Sequence, residues 1–483
     1  VIPLSLAEVA QAVGGTLHDT PDPGALVTGP AFVDSRHVVP GGLFVAVAGE
    51  HVDGHDYAAQ AMAGGAAGVL ASRPVGAPAV VVEDVVAALG TLTRTVVDRL
   101  AAADGLTVVG LTGSSGKTST KDLIAQLLTR LGPTVYPPGN LNNQIGLPLT
   151  ALNAEPETRH LVLEMGARGK GHIAYLTGLT PPRIGAVLNV GSAHVGEFGS
   201  RAAIAEAKGE LVEALPPAAS GGVAVLNADD ALVRGMAART RARVVLFGEA
   251  PDAEIRAEHV RLDATGRPSF TLITPAGSAP VTLRLYGEHH VSNALAAAAV
   301  ATECGMPVED VATALGEAGA LSRWRMEVTE RPDGVTVVND AYNANPESMR
   351  AALRALAAMA GRGEGRRRSW AVLGEMAELG GESLVEHDAV GRLAVRLDVT
   401  KLVAVGGRAA AWLELGARNE GSWGEESVHV SDADAAIELL REQVRPGDVV
   451  LVKASRSAGL ERVAEALVQA PAFGGEGAQG VDR

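Results

Sequence analysis

One cysteine, Cys304, stands in 483 residues, so no intramolecular disulfide can form, and no Cys/His ligand spacing for structural zinc occurs. That usage fits a reducing, cytoplasmic setting. Aromatic residues make up only 3% of the chain, which removes the stacking platforms that hold single-stranded nucleic acid. Positive charge is short as well: 41 Lys and Arg stand against 56 Asp and Glu, a net charge of −15 with histidine neutral. A protein that tracks a phosphate backbone needs the opposite balance. Long apolar runs are missing too. The opening VIPLSLAEVA contains Glu8 and no basic stretch, and the most apolar later run, ALAAAAVA at 294–301, is far too short to span a bilayer. These absences predict an untargeted soluble chain with neither nucleic acid nor membrane as partner; we expect a monomer.

What is present is apolar and regularly punctuated. A hydrophobic share of 47% with 20% charged residues supports full-sized cores, and at roughly 150 residues per domain the length suggests about three of them. Short β-branched runs alternate with Ala/Leu-rich helical patterns, the mark of βαβ units and parallel sheets. LTVVGLT (106–112), LVLEM (161–165), IGAVLNV (184–190) and VVLF (244–247) would supply strands of one α/β domain; WAVLGEM (370–376), LVAVG (402–406) and DVVLVKAS (448–455) those of a second. A smaller segment precedes both. The Pro/Gly punctuation at 74–78, the polar stretch at 321–334 and the Gly-rich tail after Pro471 read as boundaries, and the basic GRGEGRRRS at 361–369 as a solvated connection. The resulting expectation is an α/β chain divided at 1–84, 85–321 and 322–483.

The strongest local signal is VVGLTGSSGKTST, in which a β-branched run enters the turn Gly113, Ser114, Ser115, Gly116 and leaves through Lys117, Thr118 and Ser119 into an amphipathic helix. Backbone N–H groups in such a turn and at a helix start cradle phosphate, the lysine reaches the outer phosphates and the hydroxyl can bind Mg²⁺. Glu164 ends the strand LVLEM, where an open α/β sheet faces its ligand crevice; a solvated strand-end acid is the plainer alternative. His194, in NVGSAHVGEFGS, has the same choice between site and structure. In RAAIAEAKGELVEAL, Ile204, Leu211 and Leu215 form one apolar helical stripe on which Lys208 falls four residues after Ile204. A buried lysine tends to lose its proton and can then add CO₂ to become a carbamate, an anionic oxygen ligand; a lysine snorkelling from the stripe edge is the alternative. GEHHVSNALAAAA, VVNDAYNANPESM, VLGEMAELG with His387, and VKASRS each join polar or Gly-rich residues to a strand end or helix start. Asn343 and Asn345 before Pro346 also read as turn and N-cap chemistry, and Glu347 as a first-turn acid.

In their order and wording these segments resemble the Mur ligase family of peptidoglycan synthesis, over nearly the whole chain. DAYNANPESM, GNLNNQIGLPLTAL and LGEMAELG are similar to the branch that joins D-Ala-D-Ala to UDP-N-acetylmuramoyl-tripeptide, and the DNPR signature of the branch adding the third amino acid is absent. The resemblance implies a smaller N-terminal α/β domain for the UDP end, a central P-loop ATPase with a mostly parallel sheet, and a C-terminal Rossmann-like domain for the dipeptide. It implies ATP phosphates on Gly113 to Ser119 with Lys117 central, Mg²⁺ on Thr118 and Glu164, a second Mg²⁺ served by His194, and a carbamylated Lys208. His289 and Asn293 would lie near the adenine end, and Arg325 and Asp340 would reach phosphate and ribose. Ser35 and Arg36 in VDSRHV match the UDP-binding element, and Asn142 and Asn143 the loop near the muramoyl group. Tyr342, Asn343, Asn345, Lys453 and Ser455 would face the substrates. The chain departs from the family pattern at Gly42, usually Asp, and at Trp324 and Ala454, usually Gly. A nucleotide switch that ligates nothing, and a folylpolyglutamate synthetase-like ligase, are the rival readings; the apolar-stripe lysine speaks against the first, and DSRHV and DGH against the second.

Overall fold

The computed structural model describes residues 2–103, 105–192, 195–361, 363, 365–422 and 424–470. His194 and the tail after Pro471 therefore lie outside the described residues.

The larger apolar runs form strands that are mostly buried, as strands covered by helices on both faces must be. In the middle of the chain they build a nine-stranded sheet. Thr107–Thr112 lies between His160–Glu164 and Ile184–Val187, in parallel on both sides, with Glu164 opposite Leu111 and Val187 opposite Thr112. The expected strand at 184–190 thus stops at Val187, and Leu188 to Val190 turn into the loop beyond. Val223–Asn227 and Arg243–Gly248 continue the parallel order. Beyond Ile255–Leu262 the sheet turns antiparallel through Pro268–Thr274 and Gly277–Thr282, an extension that the apolar runs did not announce. One face is covered by the helix Lys117–Thr129 and by His289–Glu303, the other by Arg201–Glu213 and its neighbours. The run ALAAAAVA is fully buried inside His289–Glu303; small side chains on every face let this helix lie close against the sheet and the phosphate-loop helix.

The C-terminal sheet has six strands, five of them parallel: Thr336–Asn339, Val449–Lys453, Ser369–Leu373, Lys401–Val405 and Ser427–Val430 in spatial order, with Glu327–Glu330 antiparallel at the edge. The polar stretch 321–334 thus already contains its first strand. The basic 361–369 segment is not simply solvated. Arg367 donates to the carbonyls of Gly447 and Gly334 and to the Thr336 hydroxyl at 2.6, 2.9 and 2.8 Å, because the guanidinium fork satisfies turn and strand-edge oxygens the ladder leaves unpaired.

The N-terminal sheet has five strands, and the Pro74 to Pro78 punctuation lies inside it, between Gly68–Ala71 and Ala79–Val81. That segment is a strand-to-strand turn rather than a boundary. Helix Val85–Ala102, capped by Asp84, sends Leu89, Leu92 and Val96 into the N-terminal core and Val97 into the central one.

Candidate active site

The strand Thr107–Thr112 delivers the chain to a tight turn, which is held open from behind. Asn189 Oδ1 accepts from the N–H groups of Ser114 and Ser115, each at 2.9 Å. Gly116 has φ +78°, and a Cβ there would stand 2.6 Å from Asn293 Oδ1, so the position needs glycine both for conformation and for space. Lys117 opens the helix and turns back to donate to the Gly113 carbonyl at 2.8 Å. Desolvation by the cleft walls, assisted by the Arg325 charge and opposed by Glu164, pulls its pKa below the usual lysine value.

Glu164 is 1% exposed, so it is no solvated strand-end acid. Thr118 Oγ1 donates to its Oε2 and Asn142 Nδ2 to its Oε1, both at 2.7 Å. A buried hydroxyl and carboxylate at the mouth of a phosphate loop fit a hard divalent ion that keeps most of its waters, as magnesium does. Lys208 is 5% exposed, on a helix capped by Ser200 and seated through Ile204, Leu211 and, just beyond its end, Leu215. It faces the same cleft rather than snorkelling out. Burial first, then the nearby Lys117 charge, press its pKa well below the ordinary value, against the pull of Glu164.

The C-terminal sheet closes the cleft from the opposite side. Asp340 directly follows the strand Thr336–Asn339 and pairs with Lys453 at 2.6 Å while accepting from Met326 N at 3.0 Å. Lys453, 2% exposed, also donates to the Asn343 carbonyl at 2.9 Å. Both were expected to meet ligands; their immediate partners are each other and the 340–343 turn, which they stiffen. Ser455 likewise links Ala377 N at 2.9 Å to the Ala344 carbonyl at 3.3 Å. Ala454 points away from the cleft toward Gly374 and is fully buried. The Arg325 guanidinium lies 4.1 Å over the Tyr342 ring, and the Tyr342 hydroxyl donates to Asn140 of the central sheet's loop. Asn345 caps the helix Pro346–Ala360 and extends Nδ2 to the Ser114 carbonyl at 3.4 Å. Glu347, in its first turn, accepts from Ser192 N at 2.8 Å and Ser192 Oγ at 2.9 Å.

His289 borders the cleft with its ring tilted on His290 at 4.3 Å, and its Nδ1 is buried with no hydrogen-bond partner among the described residues. Burial, only partly countered by Asp340, lowers its pKa to about 4. Asn293 accepts from Thr120 at 3.2 Å and buttresses the phosphate loop. Asn143 Oδ1 accepts from Ile145 N and Gly146 N, ordering the turn that enters the next helix. His387 is internal, accepting from Met376 N at 2.9 Å.

These loops border one cleft of about 1170 Å³, including the one that His387 holds, which reaches it through Ala377 and Glu378 although His387 itself does not. It brings together Ser114 to Ser119, Asn142, Asn143, Glu164, Lys208, His289, Asn293, Arg325, Asp340, Tyr342, Asn343, Asn345, Lys453 and Ser455, and Gly113 lies just behind it as the partner of Lys117. Ser35 and Arg36 do not border it. They follow the strand Ala31–Phe32 of the N-terminal sheet, where Ser35 bonds Gln60 and Arg36 grips Asp34 through two hydrogen bonds. Sequence reasoning passed over Asn189 and Asn140 and saw Glu347 only as a helix-start acid. Asn189 was visible in NVGS, but its target, two N–H groups 74 and 75 residues away, was not.

Three family descriptions match the chain: the Mur ligase family catalytic domain over residues 32–102, the Mur ligase middle domain over 111–301 and the Mur ligase glutamate ligase domain over 324–456. The chain is 52% identical to the UDP-N-acetylmuramoyl-tripeptide--D-alanyl-D-alanine ligase of Mycobacterium tuberculosis H37Rv, across 97% of this chain and 98% of that one. The protein of the same name from Escherichia coli K12 is 37% identical over 97% and 99% of the two. Among solved structures, a MurF of Acinetobacter baumannii superposes with a TM-score of 0.85 at 32% identity, over 97% of this chain and 99% of that one. MurF ligase of Thermotoga maritima in complex with ADP gives 0.78 at 30% identity, over 92% and 98%.

Proposed function

This chain belongs to the Mur ligase family, and from that premise we propose that it joins D-Ala-D-Ala to UDP-N-acetylmuramoyl-tripeptide at the expense of ATP, as its relatives' names describe. The observation that carries this reading is the meeting of the phosphate loop with the C-terminal 340–347 turn across one cleft, through Asn345 to Ser114 and Glu347 to Ser192. Two substrates bound to different sheets would share that wall. We assign residues 1–84 to the UDP end, 85–321 to ATP and 322–483 to the dipeptide, acting in the cytoplasm as a monomer.

A carboxylate is inert to amines, so its oxygen must first attack the γ-phosphorus of ATP, releasing ADP and forming an acyl phosphate. In this reading the loop N–H groups of Gly113 to Ser119 hold the phosphates, and Lys117 swings from the Gly113 carbonyl onto the transferring group. A magnesium ion on Thr118 and Glu164 would offset negative charge where carboxylate and triphosphate crowd. Lys208, buried and favoured neutral, would attack CO₂ through its lone pair, forming an N–C bond and shedding one proton to leave a carbamate anion. His194 is assigned to a second magnesium. The free amine of D-Ala-D-Ala then attacks the acyl carbon, and the tetrahedral intermediate expels phosphate. Tyr342, Asn343, Arg325 and the ribose-facing edge near Asp340 and His289 would close over the nucleotide and exclude water, which otherwise consumes the acyl phosphate.

The test is ADP release with ATP, UDP-N-acetylmuramoyl-tripeptide and a panel of amines. D-Ala-D-Ala should support turnover while glycine and D-Glu do not; a preference for D-Glu or diaminopimelate would move the chain to another branch of the family.

A further inference from the structure

The helix that starts at the phosphate loop carries a second row of polar side chains that the ligation does not use. Asp122, Gln126 and Arg130 are spaced by four residues and so share one stripe of Lys117–Thr129 and its end. Asp122 Oδ2 accepts from Ser322 N at 3.1 Å. Gln126 holds Gly319 twice, donating to its carbonyl at 3.0 Å and accepting from its N–H at 3.1 Å, while its Nε2 also donates within the helix to the Asp122 carbonyl at 3.0 Å. Arg130 pairs with Glu317 at the surface. The three partners step along the connector that leaves helix Val308–Glu317 of the central part and enters strand Glu327–Glu330 of the C-terminal sheet.

The connector's far end is strained. Trp324 and Met326 have φ values of +59° and +49°, a left-handed conformation that non-glycine residues hold only when their surroundings over-determine it. Trp324 N is tied to Glu327 and Met326 N to Asp340, each at 3.0 Å, and Tyr342 N donates to the Trp324 carbonyl at 3.1 Å. Arg325, between the two strained residues, reaches the cleft. The next side chain inward, Lys121, is 1% exposed and donates to the Pro137 and Gly139 carbonyls at 2.7 and 3.1 Å, holding the loop of Asn140 and Asn142 to the same helix.

We propose that Asp122 and Gln126 are positioning residues: by clasping the connector at Ser322 and Gly319 they reference Arg325 and the dipeptide-facing side of the C-terminal sheet to the phosphate loop. The inference rests on the ligase reading. A helix that begins at the phosphates and clasps the connector gives the near end of the C-terminal part a fixed point of reference on the central one. Loosening the clasp leaves ATP and the acyl phosphate chemistry on the central sheet but delivers the amine out of register. Water then attacks the acyl carbon, returning the carboxylate and releasing phosphate, so ADP is formed without an amide bond.

The experiment counts ADP and ligated product in the same reaction, using full-length enzyme with ATP, UDP-N-acetylmuramoyl-tripeptide and D-Ala-D-Ala. Wild type should give one ADP per amide bond, and the surface variant Arg130→Ala the same. Gln126→Leu, which is of similar size and loses both bonds to Gly319, should raise that ratio about twofold or more while the KM for ATP and the melting temperature stay near wild type. Gln126→Glu, which can still accept from Gly319 N, should fall between. A ratio that stays at one in Gln126→Leu, or one that rises equally in Arg130→Ala, overturns the positioning role while leaving the ligase reading standing. Absence of any ligated product from wild type overturns the ligase reading and this inference with it.

Discussion

Taking an ammonium out of water is tolerated only when it is paired or neutral, and Lys208 is 5% exposed with its pKa pressed down by burial and by Lys117. If its role is the carbamate, Lys208→Ala should be folded but inactive, and a short carboxylic acid filling the vacated space should restore part of the rate. Lys208→Arg should be inactive with or without the acid, because a guanidinium stays protonated. An active Lys208→Arg enzyme in the ADP assay would remove the carbamate from the mechanism. His289 offers a second residue-scale prediction. Its folded pKa is about 4, below the ordinary histidine value near 6.5, so between those values the unfolded chain binds the extra proton. Stability should therefore fall as pH drops from about 6.5 toward 4, by up to about 1 kcal/mol per pH unit for such a group, and level off from this source below 4. His290 and His387 are shifted the same way by burial and act in the same direction. Urea denaturation across this range should show a shallower acid limb in His289→Asn than in the parent.

At the scale of elements, the helix Pro346–Ala360 shows one residue serving two purposes. Asn345 accepts from Ser348 N at 2.9 Å in a capping box, with Pro346 in the first turn, and donates to the Ser114 carbonyl across the cleft. Asn345→Ala loses both and should cost about 1 kcal/mol of stability, read as a lower melting temperature. Asn345→Asp keeps the cap acceptor and loses only the donor. It should melt like the parent while kcat/KM for ligation drops about tenfold, since a carboxylate would then face a carbonyl. Equal losses of stability in the two variants would mean that the cross-cleft bond, and not the cap, stabilises this helix.

For the molecule as a whole, closure of the C-terminal sheet onto the central one is held by a few long-range polar contacts. Glu347 is the clearest, 155 residues from Ser192 and close enough to Gly191 that a Cβ there would stand 2.7 Å from the carboxyl carbon. Glu347→Ala should shift small-angle scattering toward a more extended shape and raise the KM for D-Ala-D-Ala about tenfold, with ATP affinity held; Glu347→Gln, whose amide oxygen still accepts from Ser192, should keep most of the activity. A Glu347→Ala enzyme with unchanged scattering and KM would show that closure rests on other contacts. The sequence by itself determined which segments become buried parallel strands, that Gly113 to Thr118 form a tight strand-to-helix turn, that Asn345 starts a helix and that Lys208 lies on an apolar stripe. Each of these is a local property, readable from β-branching, periodicity of 3.6 and turn chemistry. It misjudged the Pro74 to Pro78 turn and the Arg367 segment, because proline and charge punctuate a chain without saying whether a sheet continues on the other side. Only the tertiary structure decided that Glu164 is held by Thr118 and Asn142, that Lys453 answers Asp340, and that Asn189 backs the Ser114–Ser115 turn. Those pairs lie tens to more than a hundred residues apart, and no spacing along the chain encodes the register of strands and the meeting of sheets that bring them within hydrogen-bond reach.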